Sequence, residues 1–151
     1  MRRPHLMFSG MSSPEVCQGE YRTPVAVPWD SVSLTEKVDL LRAESERLHI
    51  NSKIVDWEAA FWHTETETLY LTTNGNRVYQ RLSYLVPMLS CTANDGSETA
   101  TRTFGGRGFC RQGGLEVLEQ TGFPNAAPIL AGEVMELLDA PNCPTGIRDL
   151  L

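Results

Sequence analysis

The feature that most constrains this chain is a change of hydrophobic period near Asn51. Before it, Leu34, Val38, Leu41 and Leu48 recur at four-, three- and seven-residue steps, the stripe of an amphipathic helix. Ser33-Leu34-Thr35-Glu36 reads as a capping box, in which the Ser33 hydroxyl and the Glu36 carboxylate each accept a backbone N–H of the first turn. The helix is expected over Leu34–His49. After Asn51 the period falls to two. Lys53–His63 alternates, with Val55, Trp57, Ala59 and Phe61 on one face, and Thr66–Thr73 is β-branched and aromatic. Asn74-Gly75-Asn76 is a hairpin turn, and Arg77–Cys91 is a long strand with Val78, Leu82, Tyr84, Val86 and Met88 on one face. Pro87 lacks a ladder donor and predicts a bulge or an edge position. Asn94-Asp95-Gly96-Ser97 turns the chain into a last strand, Glu98–Phe104.

The expected fold class is therefore α+β: an antiparallel β-meander covered by one amphipathic helix, followed by two shorter helices. The first of these is placed over Arg111–Gln120, and the second starts at Pro128 and ends at Asp139-Ala140-Pro141. Leu41, Trp57, Phe61, Leu82 and Val86 are the expected core. Residues 1–32, with Pro4, Pro14, Pro24 and Pro28, read as an extended, poorly anchored arm, 33–140 as the α+β domain. Residues 141–151 read as the truncated start of a further domain, because Ile147-Arg148-Asp149-Leu150-Leu151 opens an apolar element that stops at once.

Charge narrows the function classes. Thirteen Lys+Arg against nineteen Asp+Glu give a net charge of −6 over 151 residues, which argues against broad binding to nucleic acid or anionic lipid. The charge-free run Leu82–Asn94 has thirteen residues with Pro87 inside, whereas a membrane-spanning helix needs about 20. No signal peptide is legible at Met1–Gly10. Cys17, Cys91, Cys110 and Cys143 are widely spaced, which suggests reduced thiols and a cytoplasmic protein.

The candidate chemical groups each have a plainer structural reading. Gly105-Gly106-Arg107-Gly108 through Gly114 could cradle an anion, but fits no phosphate-loop pattern and reads better as a strand-to-helix corner. Arg77, Arg81, Arg102, Arg107 and Arg111, with Tyr79 and Tyr84 interleaved, could line a groove, yet read as a solvated face paired with nearby acids. His63 would need metal-ligating partners, and His5 and His49 lie in the arm and at a helix end, without the spacing of a zinc motif. Glu65 and Glu67 resemble an acid–base pair but sit beside a turn. Cys110 and Cys143 have no histidine neighbour in sequence. No catalytic, cofactor-binding or metal-ligating residue is assigned from the residues alone.

Longer strings add a resemblance. Ser33–Arg42, then Thr68-Leu69-Tyr70-Leu71-Thr72-Thr73-Asn74-Gly75, then Thr103-Phe104-Gly105-Gly106-Arg107-Gly108-Phe109 and Ala131–Pro141, resemble in order and spacing the middle domain of the TldD/PmbA family, over most of Tyr21–Leu151. That resemblance implies a fragment of a zinc metallopeptidase that processes peptides, of the kind once described as modulators of DNA gyrase. It implies zinc in the full-length relative, held by His-Glu-x-x-x-His and a later Cys in a C-terminal domain, and none in this chain. It also implies a homodimer or a heterodimer with a family paralogue, a peptide substrate, and no nucleic-acid or membrane partner. The role expected for this chain is structural and cleft-forming rather than catalytic. The other reading is a stand-alone protein-interaction or dimerisation module.

Overall fold

The computed structural model describes residues 15–141 and Gly146. Its elements run β1 (Gln18–Arg22), α1 (Leu34–Leu48), β2 (Ile54–Leu71), β3 (Arg77–Asn94), β4 (Thr99–Gly105), β5 (Arg111–Gln112), α2 (Glu116–Gln120) and α3 (Phe123–Leu138). The class is α+β, built on a single long spine. β3 pairs antiparallel with β2 along its whole length through the hairpin at Gly75, where φ is 96°. Its other edge is shared by three short partners in succession. β1 lies parallel on Arg77–Arg81, β5 antiparallel on Tyr84–Leu85, and β4 antiparallel on Met88–Asn94. The sheet is thus mixed rather than a pure meander.

One face of this sheet is covered. α3 packs on β3 and β4, and α1 lies beside it on β2. The buried cluster gathers Leu48, Leu85, Leu89, Phe123, Leu130 and Val134, each a side chain whose burial contributes about 1.5–3 kcal/mol.

Several sequence expectations are corrected here. Lys53–His63 and Thr66–Thr73 are one strand, since nothing between them is Gly or Pro. On β3 the buried row is Ser83, Leu85, Pro87, Leu89, Cys91 and Ala93, so Leu82 and Val86 lie on the opposite face and are only half-buried. Both rows of β3 are apolar enough for a core, and the position of α3 decides between them. Leu41 and Phe61 pack against the cluster while partly exposed, and Trp57 remains 37% exposed, stacked on His49.

α1 is also rotated from its expected stripe. Lys37, Glu44 and Leu48 are its buried residues, while Leu34 and Val38 are exposed. Lys37 buries its stem and sets Nζ 4.0 Å from the centroid of the Trp29 ring. Ser33 and Glu36 do form the expected capping box.

Pro87, expected at a bulge or an edge, and Pro128, expected to start a helix, both lie inside elements, each where its missing N–H is tolerated. Pro87 is in mid-strand without a bulge, opposite Phe61. Odd-numbered residues of β3 point away from β2, as Ser83 O accepts Gly113 N–H and Arg81 O accepts Thr23 N–H. The nitrogen of Pro87 therefore faces the gap between β5, which stops at Leu85, and β4, which starts at Met88. Pro128 lies within α3, which begins at Phe123 with Pro124 in its first turn, not at Pro128. Without a Pro128 N–H the Pro124 carbonyl loses its helical donor. Arg47 of α1 supplies one from Nη1 at 2.5 Å, itself held by Glu44 at 2.8 Å.

The other short helix expected over Arg111–Gln120 is β5 followed by a five-residue α2. The arm is anchored from Gln18 onward. β1 has five exposed residues and is held by backbone pairing, which leaves no hydrophobic signature in sequence. Residues 1–14 and Ile147–Leu151 lie outside the described residues.

Candidate functional site

The densest polar cluster forms where the arm crosses the sheet. Its placement depends on Glu116. One carboxylate oxygen accepts the N–H groups of Ala26 at 3.1 Å and Gly114 at 2.9 Å, and the other accepts that of Val27 at 2.8 Å. Leu115 N–H donates to Val27 O at 2.9 Å, so the arm is clamped from both sides. Gly114 is required at this crossing, because a Cβ there would meet Val27 O at 2.1 Å. Burial alone would raise the Glu116 pKa, but the backbone donors of Gly114, Val27 and Ala26, with its own N–H, outweigh it and hold the carboxyl below its ordinary value.

The clamp sets Trp29 over His63, with ring centroids 4.5 Å apart and planes 4° from parallel. His63 Nε2 lies 3.1 Å from Ser83 Oγ, which looks at first like a base beside a nucleophile. The proton direction argues otherwise. Ser83 Oγ donates to Gly113 O at 2.8 Å, and Ser83 N–H donates to Thr23 Oγ1 at 3.1 Å. With its proton committed to a carbonyl, Ser83 accepts from the His63 N–H, so its hydroxyl ties β3 to the β5 segment and to β2 while its backbone N–H holds the arm at Thr23. The cleft beside it, about 260 Å³, is also lined by Arg22, Glu65 and Arg81. Nothing in it is an activated nucleophile.

The other candidates disperse to local partners. Arg81 pairs with both Glu65 and Glu67, so this carboxylate pair is engaged rather than free for proton transfer. Arg102 reaches Glu133 at 2.7 Å across a groove of about 540 Å³ that Phe104, Phe109, Ile129 and Leu130 line. Arg111 donates to the carbonyls of Gly108 and Cys110. Arg107 borders a small apolar pocket of about 200 Å³ with Trp62, Val86 and Met88 on the uncovered face of the sheet. The glycine corner is a packing device. Gly105 has φ 84°, and a Cβ there would lie 2.1 Å from Pro87 O.

Among the described residues the metal-ligating types do not meet. His49 stacks on Trp57, while His63 belongs to the Trp29–Ser83 cluster. Cys91 is buried near Leu48 O, and burial, with the Asp56 charge second, pushes its thiol up. Cys17 is exposed and Cys110 partly buried; His5 and Cys143 lie outside the described residues. No group of three or more His, Cys, Asp or Glu among the described residues could hold a metal ion. This donor set does not fit a zinc centre, which needs three protein ligands around one point.

The Ser83 cluster was not legible as a site, although one signal was present: Ser83 is the polar break in an otherwise apolar row. The Gly113-Gly114-x-Glu116 string likewise hinted at a carboxylate folded back on backbone donors.

A family model described as the PmbA/TldA metallopeptidase central domain matches residues 27–134. The chain belongs to this family. The matched region opens at Val27, the residue that Glu116 and Leu115 clamp, and closes at Val134 in the core of α3. It contains the Trp29–His63–Ser83 cluster, the glycine corner and both long strands. β1 lies ahead of the matched residues. No curated protein matches the chain.

Proposed function

We propose that this chain is the structural central part of a PmbA/TldA-type zinc metallopeptidase, supporting the fold and walling the substrate cleft while the chemistry is done elsewhere. The match to a central domain is the observation that carries this reading. The engagement of the strongest candidate side chains supports it. Ser83 is hydrogen-bonded to a carbonyl, Glu65 and Glu67 are held by Arg81, and His49 and His63 stand apart. In this reading the zinc, bound by His-Glu-x-x-x-His and a later Cys, belongs to a following domain, together with most contacts to the peptide substrate and a second subunit. The location proposed with it is a reducing cytoplasm, where free thiols such as Cys17, Cys91 and Cys110 persist. No helix among the described residues is long and apolar enough to cross a membrane.

A second reading, a stand-alone interaction or dimerisation module, is favoured by the exposure of Trp62, Leu69, Tyr70 and Leu71 on β2. The coding sequence downstream of codon 151 separates the two. A continuing frame that encodes His-Glu-x-x-x-His supports the first, and a stop codon there supports the second.

A further inference from the structure

We propose that the apolar pocket on the uncovered face of the sheet binds a small monocarboxylate, its ring or short carbon chain against Trp62 and its carboxylate on Arg107. The pocket follows from the strand register. Trp62 lies opposite Val86 and Ala60 opposite Met88, so these four side chains share one face. α3 lies on the other face, over the buried row from Ser83 to Ala93. β5 stops opposite Leu85 and β4 ends opposite Met88, which leaves Val86 and Pro87 without a partner on that edge. Gly105 at φ 84° and Gly106 at φ 74° turn the chain out of β4 at this point. The next residue, Arg107, then borders the pocket.

Size and charge select the occupant. The pocket holds about 200 Å³, somewhat more than the cavity of about 150 Å³ that takes up benzene, so one aromatic ring with a short linker fills it. Trp62 is 63% exposed and offers an aromatic surface for that ring. Apart from Arg107, the walls are apolar side chains and glycine. Arg22, Arg81 and Arg102 are paired with acids, and Arg111 is spent on two carbonyls. Among the described residues the Arg107 side chain has no hydrogen bond or ion pair of this kind, and its planar fork matches a carboxylate. The chain as a whole carries a charge of −6, so attraction for an anion has to come from this local cation.

The proposal goes beyond the peptidase reading and does not need it, since ligand binding and metal content are separate measurements. The probe is hydrocinnamate, titrated into the isotope-labelled 151-residue chain while the indole N–H signals of its three tryptophans are followed by NMR. Trp62→Phe assigns the signal at the pocket. Trp29 and Trp57, stacked on His63 and His49, are the internal controls. The Trp62 signal should shift saturably, with a dissociation constant of about 1 mM, ordinary for a ligand of this size, and the other two should stay still. Hydrocinnamyl alcohol keeps the body without the charge and should bind about fivefold more weakly; acetate, the charge without the body, should bind about tenfold more weakly or worse. Arg107→Gln should abolish the difference between acid and alcohol, and Arg107→Lys should retain part of it. Arg107 is exposed, so neither variant threatens the fold. Equal affinity for acid and alcohol, acid binding that Arg107→Gln leaves unchanged, or no saturable Trp62 shift by about 10 mM would overturn the proposal. So would a Trp62 shift on concentrating the protein alone, which would assign this face to another polypeptide.

Discussion

Glu116→Gln should loosen the arm and cost the fold about 1–2 kcal/mol, and Glu116→Ala about 2–3 kcal/mol. The magnitude follows from the three backbone donors that the carboxylate accepts at 2.8–3.1 Å. A hydrogen bond to a charged acceptor is worth about 1.5–3 kcal/mol, but water can replace the carboxylate at Ala26 and Val27, which are exposed. Only the Gly114 N–H is buried enough to be left short of a partner. Glutamine keeps one carbonyl oxygen and loses the charge, so its effect is the smaller. The pH dependence has a definite sign. The folded-state pKa is depressed below the ordinary 4.5, so the contribution is fully present above about that pH. It is lost as pH falls through the lower folded value. Urea unfolding of wild type and Glu116→Gln should therefore differ at neutral pH and converge in acid. Exchange at the amides of Val27 and Leu115 should rise in both variants, because their mutual clamp opens. A neutral-pH difference below about 0.5 kcal/mol for Glu116→Ala, with Val27 and Leu115 still protected, would refute the clamp.

The two faces of β3 should respond differently to truncation. Leu89→Ala, in the fully buried row, should cost about 2–5 kcal/mol, and Leu82→Ala on the half-buried face about 1 kcal/mol; equal costs by chemical denaturation would undo the face assignment. Gly105→Ala should destabilise by more than about 2 kcal/mol, as a positive φ and a Cβ 2.1 Å from Pro87 O act together, and a variant with wild-type melting would contradict this.

The parts of the fold written in local pattern were legible in the sequence. The capping box at Ser33, the hairpin at Asn74-Gly75 and the change from helix to strand depend on neighbours within a few residues, and each is present. What sequence could not settle depends on distant partners. The buried row of β3 holds Ser83 and Pro87, the less apolar choice by pattern, because α3 lies on that side. Pro128 looked like a helix start because the donor that rescues it comes from Arg47, far back in the chain. β1 carries no apolar alternation because backbone pairing and polar contacts, such as Tyr21 to Gln112 and Arg22 over Tyr79, hold it. For the site, the gap is of the same kind: Trp29, His63, Ser83 and Gly113 come from separate elements, and the Glu116 clamp together with the Thr23 bonds to Ser83 and Arg81 brings the arm to them.

The central claim, that this chain is the supporting rather than the zinc-bearing part of a metallopeptidase, is tested most directly by metal content. The purified 151-residue chain, loaded with zinc and dialysed, would be measured by atomic spectrometry alongside a peptidase assay on an unstructured substrate. The account predicts far less than one zinc per chain and no cleavage above background. One tightly held zinc per chain, with cleavage that a chelator abolishes, would contradict it and place the catalytic centre within these residues.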